Sequence, residues 1–164
     1  RKSVLLLMEY LGHIVSFEGV KMDPKKVACI EEWSQPQNVK AVRAFLGLTS
    51  YYRKFIAGYG KIAKPLTMLT RKDGFEWDDT VERAFEELKH CMISTPFLAL
   101  PNFSKIFVIE CDASESGLGA VLMQEGRPIA YFSKALGDVN LSKSVYEKEI
   151  MALVLDVNHW RQYL

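Results

Sequence analysis

At 164 residues the chain holds one domain or two small ones, and 49% hydrophobic residues suffice for a core. No apolar run approaches the roughly 18 residues of a membrane span, and the early SVLLLMEYLG stretch is short and lacks the small-residue site of a cleaved signal. The net charge of +1 conceals an asymmetry: residues 1–72 carry 13 Lys/Arg and 5 Asp/Glu, net +8, and residues 73–164 carry 8 and 15, net −7. Two modules with different partners account for this, the basic one suited to a polyanion; a polarised but merely solvated surface is the alternative. Cys29, Cys91 and Cys111 are far apart, each in an apolar setting, and are read as reduced core residues of an intracellular protein.

The segment SVLLLMEYLGHIVSFEGVKM reads as two short strands around Gly12 and a turn near Glu18-Gly19. In DPKKVACIEEWSQP, Asp23 is an N-cap and Pro24 suits the first helical position, with Pro36 ending the segment. NVKAVRAFLGLTSYYRKFI starts at the cap Asn38 and presents Val42, Phe45, Leu46, Tyr52, Phe55 and Ile56 on one face, closed by Gly58 and Gly60. A shorter helix follows, with Pro65 placed near its first turn, then a turn at KDGFEW. In DDTVERAFEELKHCMIST, Val81, Ala84, Phe85, Leu88 and Met92 recur at helical spacing behind Asp78 or Asp79 as cap. TPFLALPNFSK is a proline-marked connector.

Beyond it the character changes. KIFVIECDA, GLGAVLMQEG and RPIAYFSKAL are three strands of an antiparallel meander, with a tight turn at Glu125-Gly126. A long helix follows, with Ile150, Leu153, Val154, Val157, Trp160 and Leu164 on one face. The fold class is α+β: a helical module, then three antiparallel strands and a long helix, with the boundary near residues 95–105.

Asp112 ends the first strand of the meander. Phe107, Ile109 and Cys111 share one side of that strand; Val108, Glu110 and Asp112 share the other. Glu147 and Glu149 lie on opposite flanks of the final helix's apolar stripe, and periodicity does not choose between them. A strand-borne Asp and a helix-borne Glu are the minimum scaffold for Mg²⁺, a hard cation that takes carboxylate oxygens and keeps several waters. Two such ions about 4 Å apart serve phosphodiester hydrolysis. Two acids near a sheet are also what a solvated surface or a helix cap carries.

The motifs YLGHIVSFEGVKMDPKKV, FLGLTSYYRKFI, IAKPLTMLT, AFEELK, STPFLALPNFSKIFVIECDAS, GLGAVLMQ, RPIAYFSKAL, YEKEIMALV and HWRQYL run end to end. In this order they resemble the reverse transcriptase–ribonuclease H region of gypsy-type LTR retrotransposon Pol polyproteins. The resemblance implies a primer-grip-like hairpin over residues 1–22, with Tyr10, Leu11 and Gly12 near a primer terminus. It implies a helical thumb over 23–72 that grips a template–primer duplex or RNA–DNA hybrid. Lys40, Arg43, Arg53 and Lys54 are its candidate phosphate contacts. Residues 73–104 become a connecting helix and linker, and 105–164 the first part of a ribonuclease H fold. In this family the Asp of CDAS is a catalytic metal ligand, which maps onto Asp112. The Glu before the apolar run is the second, which maps onto Glu149. Mg²⁺ is the implied cofactor, bound weakly by these residues alone. Ser114 and Ser116 are candidate contacts to a hybrid, with turn formation as the alternative.

The polymerase Tyr-x-Asp-Asp motif and a further nuclease Asp are absent from the sequence, which reads as a fragment of a longer coding sequence whose other parts are its partners. The expectation is RNA-directed DNA synthesis and hydrolysis of hybrid RNA for the parent, and neither activity for these residues alone. No membrane is implied. The competing readings are a non-catalytic nucleic-acid-binding or connection module, retained by a host or kept as a spacer, and a remnant without a role.

Overall fold

The computed structural model describes residues 7–71, 73–115 and 117–164. A first antiparallel sheet comprises β1 (Met8–Tyr10), β2 (His13–Ser16) and β3 (Gly19–Met22) in that order. Helices α1 (Pro24–Glu31) and α2 (Val39–Tyr51) follow, then a 3-10 turn at Arg53–Phe55, α3 (Tyr59–Leu69) and α4 (Asp79–Ile93). The second antiparallel sheet is β4 (Val108–Ala113), β5 (Gly117–Gln124) and β6 (Arg127–Ala135), and the chain ends with α5 (Asp138–Leu141) and α6 (Val145–Trp160). The early segment thus holds a third strand, β3, beyond the two expected; residues 1–6 of the expected hairpin lie outside the described residues.

Local chemistry sets the boundaries. The Asp23 side chain accepts from the Lys25 N–H, Asn38 from Ala41, and Asp78 from Thr80 and Val81, each at 2.9 Å. These bonds satisfy amide groups that a helix start otherwise leaves without partners. Two hairpins turn through residues that are both left-handed, Leu11-Gly12 (φ +49° and +76°) and Glu125-Gly126 (φ +51° and +74°). This is the type I′ geometry that matches strand twist. Glycine takes the second place without penalty, whereas Leu11 and Glu125 carry a cost of about 1–2 kcal/mol each.

One core binds the helical module. Ile30 of α1, Val42 and Phe45 of α2, Tyr52 and Phe55, and Ala63, Leu66 and Leu69 of α3 are buried together. Val81, Ala84, Phe85, Leu88 and Met92 of α4 join the same cluster, so the helix placed by sequence in a connecting segment packs as a fourth helix of the module. Pro65 is interior to α3, six residues past its start, because Gly58 in the left-handed region begins the helix earlier than expected. Cys29 and Cys111 are exposed and Cys91 is partly buried, correcting the expectation of three core cysteines.

The connector is sewn to both sheets. Val20 and Leu98 exchange backbone hydrogen bonds of 2.7 and 2.8 Å, and the Ala99 N–H donates to the Pro128 carbonyl at 2.7 Å. The buried Gln124 amide accepts from the Asn102 N–H at 2.9 Å and donates to the Asn102 and Lys105 carbonyls at 2.8 and 3.1 Å.

The largest departure is the rotation of α6. Its sheet-facing row is Lys148, Ala152, Asp156 and Trp160, all buried. Ile150, Leu153, Val154 and Val157, expected against the sheet, are instead 41–52% exposed, and Leu164 is exposed as well. Trp160 alone of the expected stripe is buried, beside Phe132, Ile129 and Leu122.

Candidate active site and nucleic-acid interface

The second sheet positions Asp112. Register places Cys111 opposite Ala120 and Asp112 opposite Gly119, and β6 continues these rows with Phe132 and Ser133. Strand alternation then separates two faces. Phe107, Ile109, Ala120 and Phe132 pack on the Trp160 side under α6. Asp112, Gly119 and Ser133 share the other face, which looks toward the helical module. There a cleft of about 380 Å³ opens, lined by Lys61, Glu110, Asp112, Ser114, Tyr131 and Ser133 among others. Asp112 is exposed at its edge. Ser114 is used in the turn: its N–H and hydroxyl donate to the Gly117 carbonyl at 2.9 and 3.1 Å. Ser116 lies outside the described residues.

The two helix acids have different surroundings. Ser144 opens α6 with a reciprocal cap: its hydroxyl accepts from the Glu147 N–H at 3.2 Å, and the Glu147 carboxylate accepts from the Ser144 N–H at 2.8 Å. The Ser144 N–H and then its hydroxyl, each donating to the carboxylate at 2.8 Å, hold the Glu147 carboxyl below its ordinary value. Glu147 is thereby occupied as a cap, and Glu149 stands exposed in the next part of the turn. Among the described residues no group of three His, Cys, Asp or Glu is close enough to hold a metal ion. Asp112 and Glu149 each offer the hard oxygen donors that Mg²⁺ takes, but Asp112 lies on the sheet face opposite the one α6 covers and Glu149 is exposed on α6, so among the described residues the two form no shared ligand cluster.

Sequence reasoning missed Asp156. It is 1% exposed, and among the described residues its carboxylate oxygens have no partner beyond the weak thiol donor of Cys111 beside them. Burial raises its pKa, partly offset by the neighbouring Cys111 thiol and by His159. Burial and then the Asp156 carboxyl push the Cys111 thiol up to about 12. The available signal was the i, i+4 row of Lys148, Ala152, Asp156 and Trp160, which the wider apolar stripe beside it obscured.

On the helical module, Tyr10 and Leu11 are exposed at the first hairpin's tip. The tip is pinned from α2 and its cap: the Tyr51 hydroxyl donates to the Leu11 carbonyl at 2.8 Å, and Tyr52 to the Gly12 carbonyl at 2.9 Å. Lys40, Arg43, Ala44, Gly47 and Tyr51 make one exposed face of α2 leading to that tip, with open space beside Gly47. Arg43 also donates to the Thr70 carbonyl at 3.3 Å. Lys54 lies 5.4 Å from the Phe55 ring centre, and partial burial lowers its pKa. Arg53 is exposed as a residue yet reaches across the module seam, donating to the Ser133 carbonyl at 2.7 Å.

Comparison with known proteins places this geometry. Residues 77–164 match the model of the RNase H-like domain found in reverse transcriptase. The Drosophila melanogaster retrovirus-related Pol polyproteins from transposons opus, 297 and gypsy are 42%, 46% and 39% identical over 94–96% of this chain. The chain spans 15–17% of the length of these relatives. The foamy viral protease-reverse transcriptase solved with double-stranded DNA superposes with a TM-score of 0.89 at 21% identity, covering 96% of this chain and 29% of that one. The same viral protein solved with an RNA/DNA hybrid gives 0.87 at 22%, covering 93% and 22%. At that identity the likeness establishes the fold. The family match extends over more than half of the residues, and the chain belongs to the family of RNase H-like domains found in reverse transcriptases.

Proposed function

We propose that this chain serves a retrotransposon Pol polyprotein by gripping an RNA–DNA hybrid or template–primer duplex with its helical module and presenting Asp112 and Glu149 to a nuclease centre. The observation that carries the reading is the position of Asp112. It lies on the sheet face that looks across the cleft toward the helical module, whose residues 1–72 carry a net charge of +8 before the acidic α4 is added. The foamy viral structures with double-stranded DNA and with hybrid support the same class of partner.

In this reading Lys40 and Arg43 hold phosphates, and the Tyr10–Gly12 tip abuts the duplex where Tyr51 fixes it. Phosphate contacts set position without reading sequence. RNase H-like domains generally use divalent metals, and Asp112 and Glu149 are the residues that would hold Mg²⁺. When bound, the ion supplies charge stabilisation at the scissile phosphate. Glu147 stays in its cap and holds α6 in register for Glu149. Asp112 and Glu149 by themselves are fewer carboxylates than two-metal hydrolysis uses, so in this reading they support negligible cleavage without further ligands.

The test is cleavage of an RNA–DNA hybrid with Mg²⁺ supplied, comparing the chain with Asp112→Asn, alongside a longer Pol segment carrying the same substitution. Asp112-dependent cleavage is expected only in the longer segment. Its absence there leaves the alternative of a non-catalytic connection module.

A further inference from the structure

We infer that Arg53, Gly60 and Ser133 form a clamp that fixes Asp112 relative to the duplex held by the helical module, making Arg53 a positioning residue and not a phosphate contact. This rests on the function proposed above. The Arg53 guanidinium donates to the Ser133 carbonyl at 2.7 Å and lies 5.2 Å from the Tyr59 ring centre. The Tyr59 hydroxyl is itself hydrogen-bonded to the buried Thr49 hydroxyl at 3.0 Å. From α3, the Gly60 N–H donates to the Ser133 hydroxyl at 2.7 Å. The carbonyl and the hydroxyl of a buried residue are therefore both engaged by the other module. Glycine suits this approach, since a Cβ at Gly60 would sit 3.1 Å from the Ala135 nitrogen, tighter than an ordinary contact. Lys64 adds a bond to the Leu136 carbonyl at 3.4 Å.

The clamp and the carboxylate are linked through one row of the sheet. Ser133 pairs with Gly119, and Gly119 with Asp112. Two strand spacings, about 10 Å, separate clamp from carboxylate, and both lie on the same face, lining the same cleft. A row held by backbone hydrogen bonds transmits a displacement at Ser133 to Asp112. The width of the cleft, and so the offset between α2's basic face and Asp112, is set where Arg53 and Gly60 meet β6.

The experiment uses the full 164-residue chain with R53Q, R53K and S133A. Three readouts are taken: amide exchange at Gly60 in the free protein, the salt slope of binding to an RNA–DNA hybrid, and the hydroxyl-radical footprint on that hybrid. R53Q and R53K are both expected to speed Gly60 exchange at least tenfold. They should leave the log–log salt slope within about half a unit and lose the part of the footprint belonging to the sheet module. S133A, which keeps the carbonyl that Arg53 uses, should speed Gly60 exchange without altering the slope, and serves if the Arg53 variants fail to fold. A slope reduced by about one in R53Q and restored in R53K, with exchange and footprint unchanged, would make Arg53 a phosphate contact and overturn the clamp. If the wild-type chain binds no hybrid, the proposed function fails and the positioning role with it, whereas Gly60 exchange still decides whether the clamp exists.

Discussion

Tyr51 donates a 2.8 Å hydrogen bond to the carbonyl of Leu11, forty residues earlier, and Leu11 is one of two non-glycine residues with positive φ among the described residues. A left-handed leucine persists only where its surroundings over-determine it. Tyr51→Phe should cost about 1 kcal/mol, the usual net worth of such a bond. Leu11→Gly should recover about 1 kcal/mol by removing the strained side chain. Denaturant titration of the two variants and their combination measures both. A Leu11→Gly chain less stable than wild type would show that the leucine side chain supports the tip by packing.

Much of this architecture was legible beforehand, for local reasons. Asp23, Asn38 and Asp78 act through the nearest amides, so composition alone placed three helix starts. The meander followed from two-residue alternation and Glu125-Gly126. The orientation of α6 did not follow, because the helix carries apolar residues around more than one flank. Which flank meets the sheet depends on residues distant in sequence, Cys111 and Phe132 among them. The reach of Arg53 across the seam depends likewise on Ser133, eighty residues away. Asp112's place at the edge of a strand was readable from alternation; the face it shares with Ser133 needed the register.

Asp156 predicts a pH dependence. Its folded pKa is raised by burial above its ordinary value of 3.8. The folded chain therefore binds the proton more tightly than the unfolded chain. This contribution favours folding most below the unfolded pKa, declines as pH rises toward the raised folded value, and is constant above it. The groups facing it are Cys111 from β4 and His159 from its own helix, with Arg53 acting on His159. Asp156→Asn should stabilise the chain at neutral pH by on the order of 1 kcal/mol, since an unpartnered buried charge is removed. Below the unfolded pKa the gain should vanish. Thermal melts across pH check this, and an equal effect at all pH values would rule out ionisation as the cause.

Burial, and then the same contact, make Cys111 a poor nucleophile. Cys29 and Cys111 are both exposed by residue, yet the Cys111 thiol, at about 12, is almost entirely protonated near pH 8. Its reaction with a disulfide reagent should be more than about a hundredfold slower than that of Cys29. Asp156→Asn should narrow the gap. Equal rates in the wild-type chain would contradict the placement of the thiol against Asp156.

Gly19→Ala tests the seam between the first sheet and the connector. Gly19 has φ +136°, and a Cβ there would fall 2.1 Å from the Leu98 carbonyl oxygen. Both backbone and contact forbid it, so a loss of about 2 kcal/mol or more is expected. Chemical denaturation reads it directly; a loss under about half a kcal/mol would mean the Val20–Leu98 bridge is dispensable.

The grip of the helical module on nucleic acid is tested most directly by the salt dependence of hybrid binding in K40Q/R43Q and in K105Q/R161Q. Each pair removes two exposed cations, one from the helical module and one from the sheet module. Each lost phosphate contact lowers the log–log slope by about 0.9 on duplex DNA. The K40Q/R43Q chain should lose close to two units of slope, with weaker binding at every salt concentration, and the K105Q/R161Q chain should match wild type. An unchanged slope in K40Q/R43Q together with a reduced one in K105Q/R161Q would place the nucleic acid on the acidic module and contradict the account.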